Sequence, residues 1–267
     1  MTARSGSSPS RAKIQRARKH IGELKSEVQT FLASRPFEIA GKSDPKTQAI
    51  YYCAAKVEEV PLDLSIATAD IVRNLRTALD YLAYALVVAG GNYPTRNTGF
   101  PVFAALGIYK AQVGEKVQGM AQRAVDAIDA LKPYKGGHDV LWQLDALAKI
   151  DKRGLIPIRA LTYRFQVVNP SVIQYLRGVW SVRSGSWPDP DSAPDSLIEY
   201  KRRLFPLTRD DTVFVDAPGS AEPLSFTFDF AIFEPRLALG KCALIETLEN
   251  MATCVNGIVA ETECLLA

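Results

Sequence analysis

The chain has 267 residues, a length that suits one large domain or two small ones and can bury a core without disulfides or metal. Apolar residues make up 47% and charged residues 23%, as in an ordinary globular protein. The formal net charge of +3 is too small to indicate a nucleic-acid or membrane partner by itself.

The four cysteines, Cys53, Cys242, Cys254 and Cys264, include no C-x-x-C pair, and the chain has only two histidines. Zinc ligation needs closer spacing and more histidines, so we expect free thiols in a reducing cytoplasm and neither metal nor cofactor. The longest apolar stretch, Tyr81–Gly91, is too short to span a bilayer, and the N-terminus lacks the apolar segment of a secretion signal. We therefore predict a cytoplasmic protein without a membrane partner.

At the N-terminus, the composition of residues 1–10 predicts a disordered basic tail. Helical spacing of apolar residues then predicts a helix to about Ser34, with Ser10 as its N-cap. Two apolar runs, Phe37–Ala40 and Ala49–Val57, flank a turn-forming segment and predict a β-hairpin.

The central prediction is a long helix over Leu64–Val88, capped by Asp63 or Ser65 and ended by Gly90 and the residues after it. Apolar residues occupy so much of its circumference that it should be buried between neighbouring elements.

Beyond the central helix, the pattern changes from helical to β and back. Helices are predicted at 113–118, 119–131 and 139–151, strands at 155–168, 212–215 and 224–233, a loop at 184–194, and an amphipathic helix at 237–266. We predict an α+β fold in one domain, 11–267, with a helical part over 11–153, a β part over 155–235 and a closing helix.

Polar residues form a stripe along one side of the otherwise apolar central helix. Its members are Asp70, Arg73, Asn74, Thr77, Asp80, Tyr81 and Tyr84. One interpretation is an ion-pair ladder of Asp70, Arg73 and Asp80 under a neighbouring helix. The other is a polar groove that holds an anionic group, with Arg73 or Arg76 as the donor.

Two further segments carry charge. Asp151, Lys152 and Arg153 end the helix that contains Trp142, where basic residues suit the negative end of the helix dipole. The N-terminal basic run could attract phosphate, but without interleaved aromatic residues it is better interpreted as a solvated helix face. That run comprises Arg4, Arg11, Lys13, Arg16, Arg18, Lys19 and Lys25. The chain has no G-x-S-x-G, no phosphate loop and no G-x-G-x-x-G motif.

Four segments, in the same order, resemble a recurrent group of bacterial and phage proteins with no established activity. They are Arg73–Tyr84, Leu131–Tyr134, Leu141–Leu144 and Ile150–Arg153. That group usually has His at the position of Tyr81, and the resulting spacing of Arg, four residues and His resembles HEPN domains. The resemblance implies a helical module that acts as an RNase or binds nucleotides, with Arg and His meeting across a dimer.

This chain departs from that pattern, because Tyr81 replaces the expected His and Arg153 stands where the group tends to have another His. Tyrosine has an ordinary pKa of about 10 and is a poor general base at neutral pH. We therefore predict a non-catalytic HEPN-like module that forms a homodimer and has RNA, a nucleotide or a protein as its partner. Its site residues would be Arg73, Asn74, Arg76, Asp80 and Tyr81, with Asp151 and Lys152 nearby.

Two alternatives remain open from the sequence. The first is an active endoribonuclease, toxin-type or phosphotransfer enzyme that uses Arg76, Asp80 and Tyr81. The second is a structural or phage-encoded interaction protein without a ligand, in which the polar stripe is an ion-pair ladder.

Overall fold

The computed structural model describes residues 8–46, 50–165, 167–168, 197–198, 201–203, 207, 209–210, 212–216, 225–239 and 242–266. Contacts divide the chain into two compact units, one of residues 1–30, 61–158 and 232–267 and one of residues 31–60 and 159–231. The fold is α+β, as predicted. The predicted single domain over 11–267 stays a prediction.

The first unit is helical. Its helices are α1 (Pro9–Ala33, whose last residues belong to the second unit), α2 (Leu62–Ala89), α3 (Leu106–Val117), α4 (Gln122–Ala130), α5 (Asp139–Asp151) and α6 (Leu244–Glu263), followed by a 3₁₀ turn at Cys264–Leu266. The predicted helix at 139–151 is confirmed at both ends. No helix among the described residues is long and apolar enough to cross a membrane.

Helix α2 forms the core of this unit, as its apolar circumference predicts. It contacts α5 and α6, which also contact each other. Its inward side chains are almost completely excluded from solvent, in keeping with a helix buried between neighbours. The largest of them are Leu64, Ile71, Leu75, Leu79, Leu82 and Leu86.

Helix α1 begins earlier than predicted. Proline occupies its first position, and the Ser8 hydroxyl accepts the Arg11 backbone N–H at 3.2 Å. Proline suits this position because its missing N–H would have no helical partner there. Ser10 is therefore a buried residue of the first turn, and its assignment as the N-cap and as part of a disordered tail was wrong. Residues 1–7 of the predicted tail lie outside the described residues.

Other helix ends also differ from the predictions. Pro61 precedes α2 without a side-chain cap, so neither Asp63 nor Ser65 serves as the N-cap. The closing helix begins at Leu244 instead of residue 237, because Ala238 has a φ of 53° that no right-handed helix accommodates. The helix predicted at 113–118 extends back to Leu106, and the one predicted at 119–131 begins at Gln122.

The second unit is built from short strands. They are β1 (Phe37–Ser43), β2 (Ile50–Val57), β3 (Ile158–Phe165), β4 (Val167–Val168), β5 (Leu197–Ile198), β6 (Lys201–Arg203), β7 (Thr212–Asp216) and β8 (Ser225–Ile232). They form small antiparallel sheets with the orders β1-β2-β7, β6-β3-β8 and β4-β5. The predicted hairpin is confirmed, and the predicted loop at 184–194 lies outside the described residues.

Aromatic side chains pack together in the core of this unit. Phe37 lies with its ring centroid 5.2 Å from that of Phe228 and 6.2 Å from those of Phe31 and Phe230. Such spacings are those of favourable aromatic pairs. The alternating aromatic residues of β8, which made it the clearest strand in the sequence, therefore contribute directly to packing.

Replacing Leu75 with Ala should lower the free energy of unfolding by about 2–5 kcal/mol, because it opens a cavity in a fully buried part of α2. Leu62→Ala makes the same change on the same helix where the side chain is 56% exposed, and should cost less than about 1 kcal/mol. Urea denaturation of both variants measures the difference. Equal losses would show that α2 is not the buried centre of its unit.

Candidate functional site

Arg76 is the centre of the polar side of α2. Its Nε donates to Asp145 Oδ1 at 2.9 Å, its Nη1 donates to Asp80 Oδ1 at 2.6 Å, and its Nη2 donates to the Phe100 carbonyl at 2.9 Å. The side chain is only 19% exposed, and that of Asp145 is 8% exposed. Arg76 thus connects α2 to α5 and to the loop at Phe100, and all three of its nitrogens have acceptors inside the chain.

Asp80 fixes the same loop from the other side. Its Oδ1 accepts the Phe100 backbone N–H at 3.0 Å as well as the Arg76 guanidinium. Gly99 allows this approach, because a Cβ at that position would lie 3.2 Å from Asp80 Oδ1. The loop and α2 therefore share a closed set of hydrogen bonds.

Asp145 is a buried carboxylate with two cationic partners. Besides its bond with Arg76, it forms an ion pair with Lys149, whose Nζ lies 2.6 Å from Oδ2. A buried carboxylate is costly unless it is paired in this way. The sequence-based prediction did not include Asp145 or Lys149 in the site, although a single acid among Leu141, Leu144 and Leu147 was a usable signal.

Arg73 forms a second, more exposed connection to α5. Its Nη2 lies 2.7 Å from Asp151 Oδ2 and its Nη1 lies 3.5 Å from Asp70 Oδ1, while its side chain is 63% exposed. The hydrogen bond to Asp151 raises the pKa of the Arg73 guanidinium above its ordinary value. The predicted ladder is thus partly correct, since Arg73 pairs with Asp70 but Asp80 pairs with Arg76.

The remaining predicted site residues lie in different surroundings. Asn74 accepts a hydrogen bond from Lys13 Nζ at 3.1 Å and donates to the Asp70 carbonyl. Tyr81 is exposed on α2, and Lys152 is exposed just after α5, without an ion pair to any described residue. The structure therefore brings Arg73 together with Asp151, and Arg76 with Asp80, but assigns neither Tyr81 nor Lys152 to the same cluster.

The electrostatic balance of this cluster disfavours an anionic ligand. Three cations, Arg73, Arg76 and Lys149, are paired with four carboxylates, Asp70, Asp80, Asp145 and Asp151, which gives a formal charge of −1. Even with Lys13 beside Asn74 the sum only reaches zero. Recognition of phosphate depends on a surplus of positive charge, which this cluster does not have.

One potential catalytic pair is visible only in the structure. His138 Nε2 lies 3.8 Å from Cys254 Sγ, although the two residues are 116 positions apart. Burial raises the pKa of the Cys254 thiol to about 11, so the thiol is protonated at neutral pH. The contact is therefore better explained as packing than as an activated nucleophile.

The comparisons with family models, curated proteins and solved structures found no match for this chain. Within the described part of the chain, no three His, Cys, Asp or Glu side chains form a group that could hold a metal ion. The HEPN resemblance consequently stays a prediction.

Replacing Arg76 with Met should lower the free energy of unfolding by about 3 kcal/mol, because the buried Asp145 loses one of its two cations. Arg73→Met is the matched control, and loss of its exposed ion pair should cost about 1 kcal/mol or less. Urea denaturation measures both. An Arg76→Met protein with the same free energy of unfolding as the wild type would contradict the structural role of this guanidinium.

Proposed function

We propose that this protein is a non-catalytic helical interaction module that pairs with a second copy of itself through the exposed side of α2. The main support for a protein partner over an anionic ligand is that Arg73 and Arg76 already bind carboxylates of the same chain. Tyr81 stands where the resemblance to HEPN domains leads us to expect a His, and its absence disfavours the nuclease interpretation. We further propose that it acts in the cytoplasm, where cysteine thiols remain reduced.

The proposed interface is a single row of residues, which we call the 66–88 row. It consists of Ile66, Asp70, Arg73, Thr77, Tyr81, Tyr84 and Val88, all exposed or half-buried. Successive members are four, three, four, four, three and four positions apart. The mean step is close to the helical repeat of about 3.6 residues, so the row runs nearly straight along α2 for about 33 Å.

The spacing of the row is symmetric about Thr77. Two copies of α2 that cross antiparallel at Thr77 would therefore meet member by member, with a two-fold axis at the centre. A two-fold interface must be self-complementary, since each residue contacts its counterpart in both directions. The chemistry of the opposed pairs is therefore the relevant test of this arrangement.

Each opposed pair is chemically compatible. Ile66 would meet Val88 of the second copy, which joins two apolar side chains that are 46% and 61% exposed. Arg73 would meet Tyr81, where a guanidinium can stack on an aromatic ring. Its ion pair with Asp151 uses the N–H edge of the guanidinium and is compatible with stacking on the planar face.

The third pair opposes Asp70 and Tyr84, so that the tyrosine hydroxyl can donate to the carboxylate. The row suits a protein partner better than RNA, because its charged residues are one Arg and one Asp and give it no net positive charge. Exposed apolar and aromatic residues concentrated on one helix mark interaction surfaces in otherwise polar proteins.

A charge exchange tests both the interface and its direction. Ile66→Lys and Val88→Glu should each raise the dissociation constant of the dimer at least roughly tenfold, because symmetry makes every substitution count twice. The double variant should recover most of the lost affinity, since the introduced ammonium of one copy would then face the introduced carboxylate of the other. Analytical ultracentrifugation over a concentration series measures all three.

The matched control is Ile108→Lys, which makes the same change at a side chain of similar exposure, 43%, on α3. It should leave self-association unchanged. A wild-type protein that stays monomeric at high concentration would refute the proposal. A double variant weaker than either single variant would refute the antiparallel register.

A further inference from the structure

A cavity of about 440 Å³ lies beside the C-terminal end of α5. This volume falls within the range of about 300–1,000 Å³ that is usual for small-molecule sites. Its lining includes Trp142, Ile150 and Leu237 as apolar surface and Lys149, Arg153 and Arg236 as cations. Glu234 is the carboxylate of the lining.

The apolar side of the cavity is held in place by specific contacts. Gln143 Nε2 donates to the Leu237 carbonyl at 2.9 Å, which fixes the segment after β8 against α5. The Phe233 backbone N–H donates to the Pro157 carbonyl at 2.8 Å and anchors the start of the same segment. Lys135 Nζ lies 4.7 Å from the centre of the Trp142 ring and restrains the indole. A preformed wall of this kind reduces the entropic cost of binding.

The cations of the cavity are not equally engaged. Lys149 is bound by the buried Asp145 at 2.6 Å. Arg236 has a 91% exposed side chain, and its ion pair with Glu234 is weak, since Nε and Oε1 are 4.0 Å apart. Among the described residues, Arg153 is exposed and has no ion pair. The guanidinium groups of Arg153 and Arg236 therefore border the cavity, whose lining includes one carboxylate, that of Glu234.

The dipole of α5 explains the position of only one of the two arginines at the cavity. Arg153 follows the C-terminus of α5, where a cation is favourable without any ligand. Arg236 belongs to a different segment, more than 80 positions later in the chain, and has no such reason to lie here. Arg236 lines the same cavity as Trp142 and Arg153, a combination that suits an anion that also has an apolar part.

We propose that this cavity binds a small organic anion in which a flat ring is joined to a carboxylate or a phosphate. The ring would pack against Trp142, Ile150 and Leu237, and the anionic group would accept hydrogen bonds from Arg153 and Arg236. No residue lines both this cavity and the 66–88 row, so anion binding and self-association are tested by substitutions at different residues.

Isothermal titration calorimetry with two pairs of probes tests the proposal. Indole-3-acetate is compared with indole-3-acetamide, and adenosine 5′-monophosphate is compared with adenosine, so that each pair differs in the anionic group. In at least one pair the anion should bind roughly tenfold more tightly than its neutral counterpart. The pair that responds distinguishes a carboxylate ligand from a phosphate ligand.

Charge reversal assigns the site. Arg153→Glu and Arg236→Glu should each weaken binding of the preferred anion at least roughly tenfold. Arg96→Glu, the same change at an exposed arginine outside the cavity lining, is the control and should leave affinity unchanged. Since these side chains are exposed, all three variants should fold, which circular dichroism checks.

Three results would overturn the proposal. The first is that neither anion binds at millimolar concentration. The second is that the neutral probes bind as tightly as the anions in both pairs. The third is that Arg153→Glu and Arg236→Glu have no larger effect than Arg96→Glu.

Discussion

The ion pair between Arg76 and the buried Asp145 is the interaction on which the helical unit depends. A carboxylate that is 8% exposed must be compensated, and Arg76 and Lys149 provide that compensation from α2 and α5. The same guanidinium also binds Asp80 and the Phe100 carbonyl, which fixes the loop after α2. One side chain thus sets the relation between two helices and a loop.

This constraint changes the meaning of the polar stripe on α2. Arginines on a buried helix resemble an anion-binding site, but here their donors are used inside the chain and the cluster has no positive surplus. Among the accessible residues of α2, the 66–88 row has a symmetric spacing that suits a second copy of the same helix. The charge available for a small anion lies instead at Arg153 and Arg236, on the cavity beside α5.

Much of the fold could be predicted because local patterns determine it. The apolar periodicity of α2, the ends of α5 and the hairpin of β1 and β2 follow from residues close in sequence. The pairing of Arg76 with Asp145 could not be predicted in this way, since 69 positions separate them and their approach depends on how two helices pack. The predicted start of α6 was wrong because the backbone at Ala238 is left-handed, and no glycine at that position indicates this in the sequence.

Disulfide formation at the proposed two-fold axis tests the central claim most directly. In a Cys264→Ser background, Thr77→Cys should give a covalent dimer on mild oxidation, because residues on the axis of an antiparallel helix pair approach within disulfide distance. Ile66→Cys alone should form no covalent dimer, whereas a mixture of Ile66→Cys and Val88→Cys should cross-link. A dimer that forms from Ile66→Cys but not from Thr77→Cys, or no cross-link from any of them, would contradict the account.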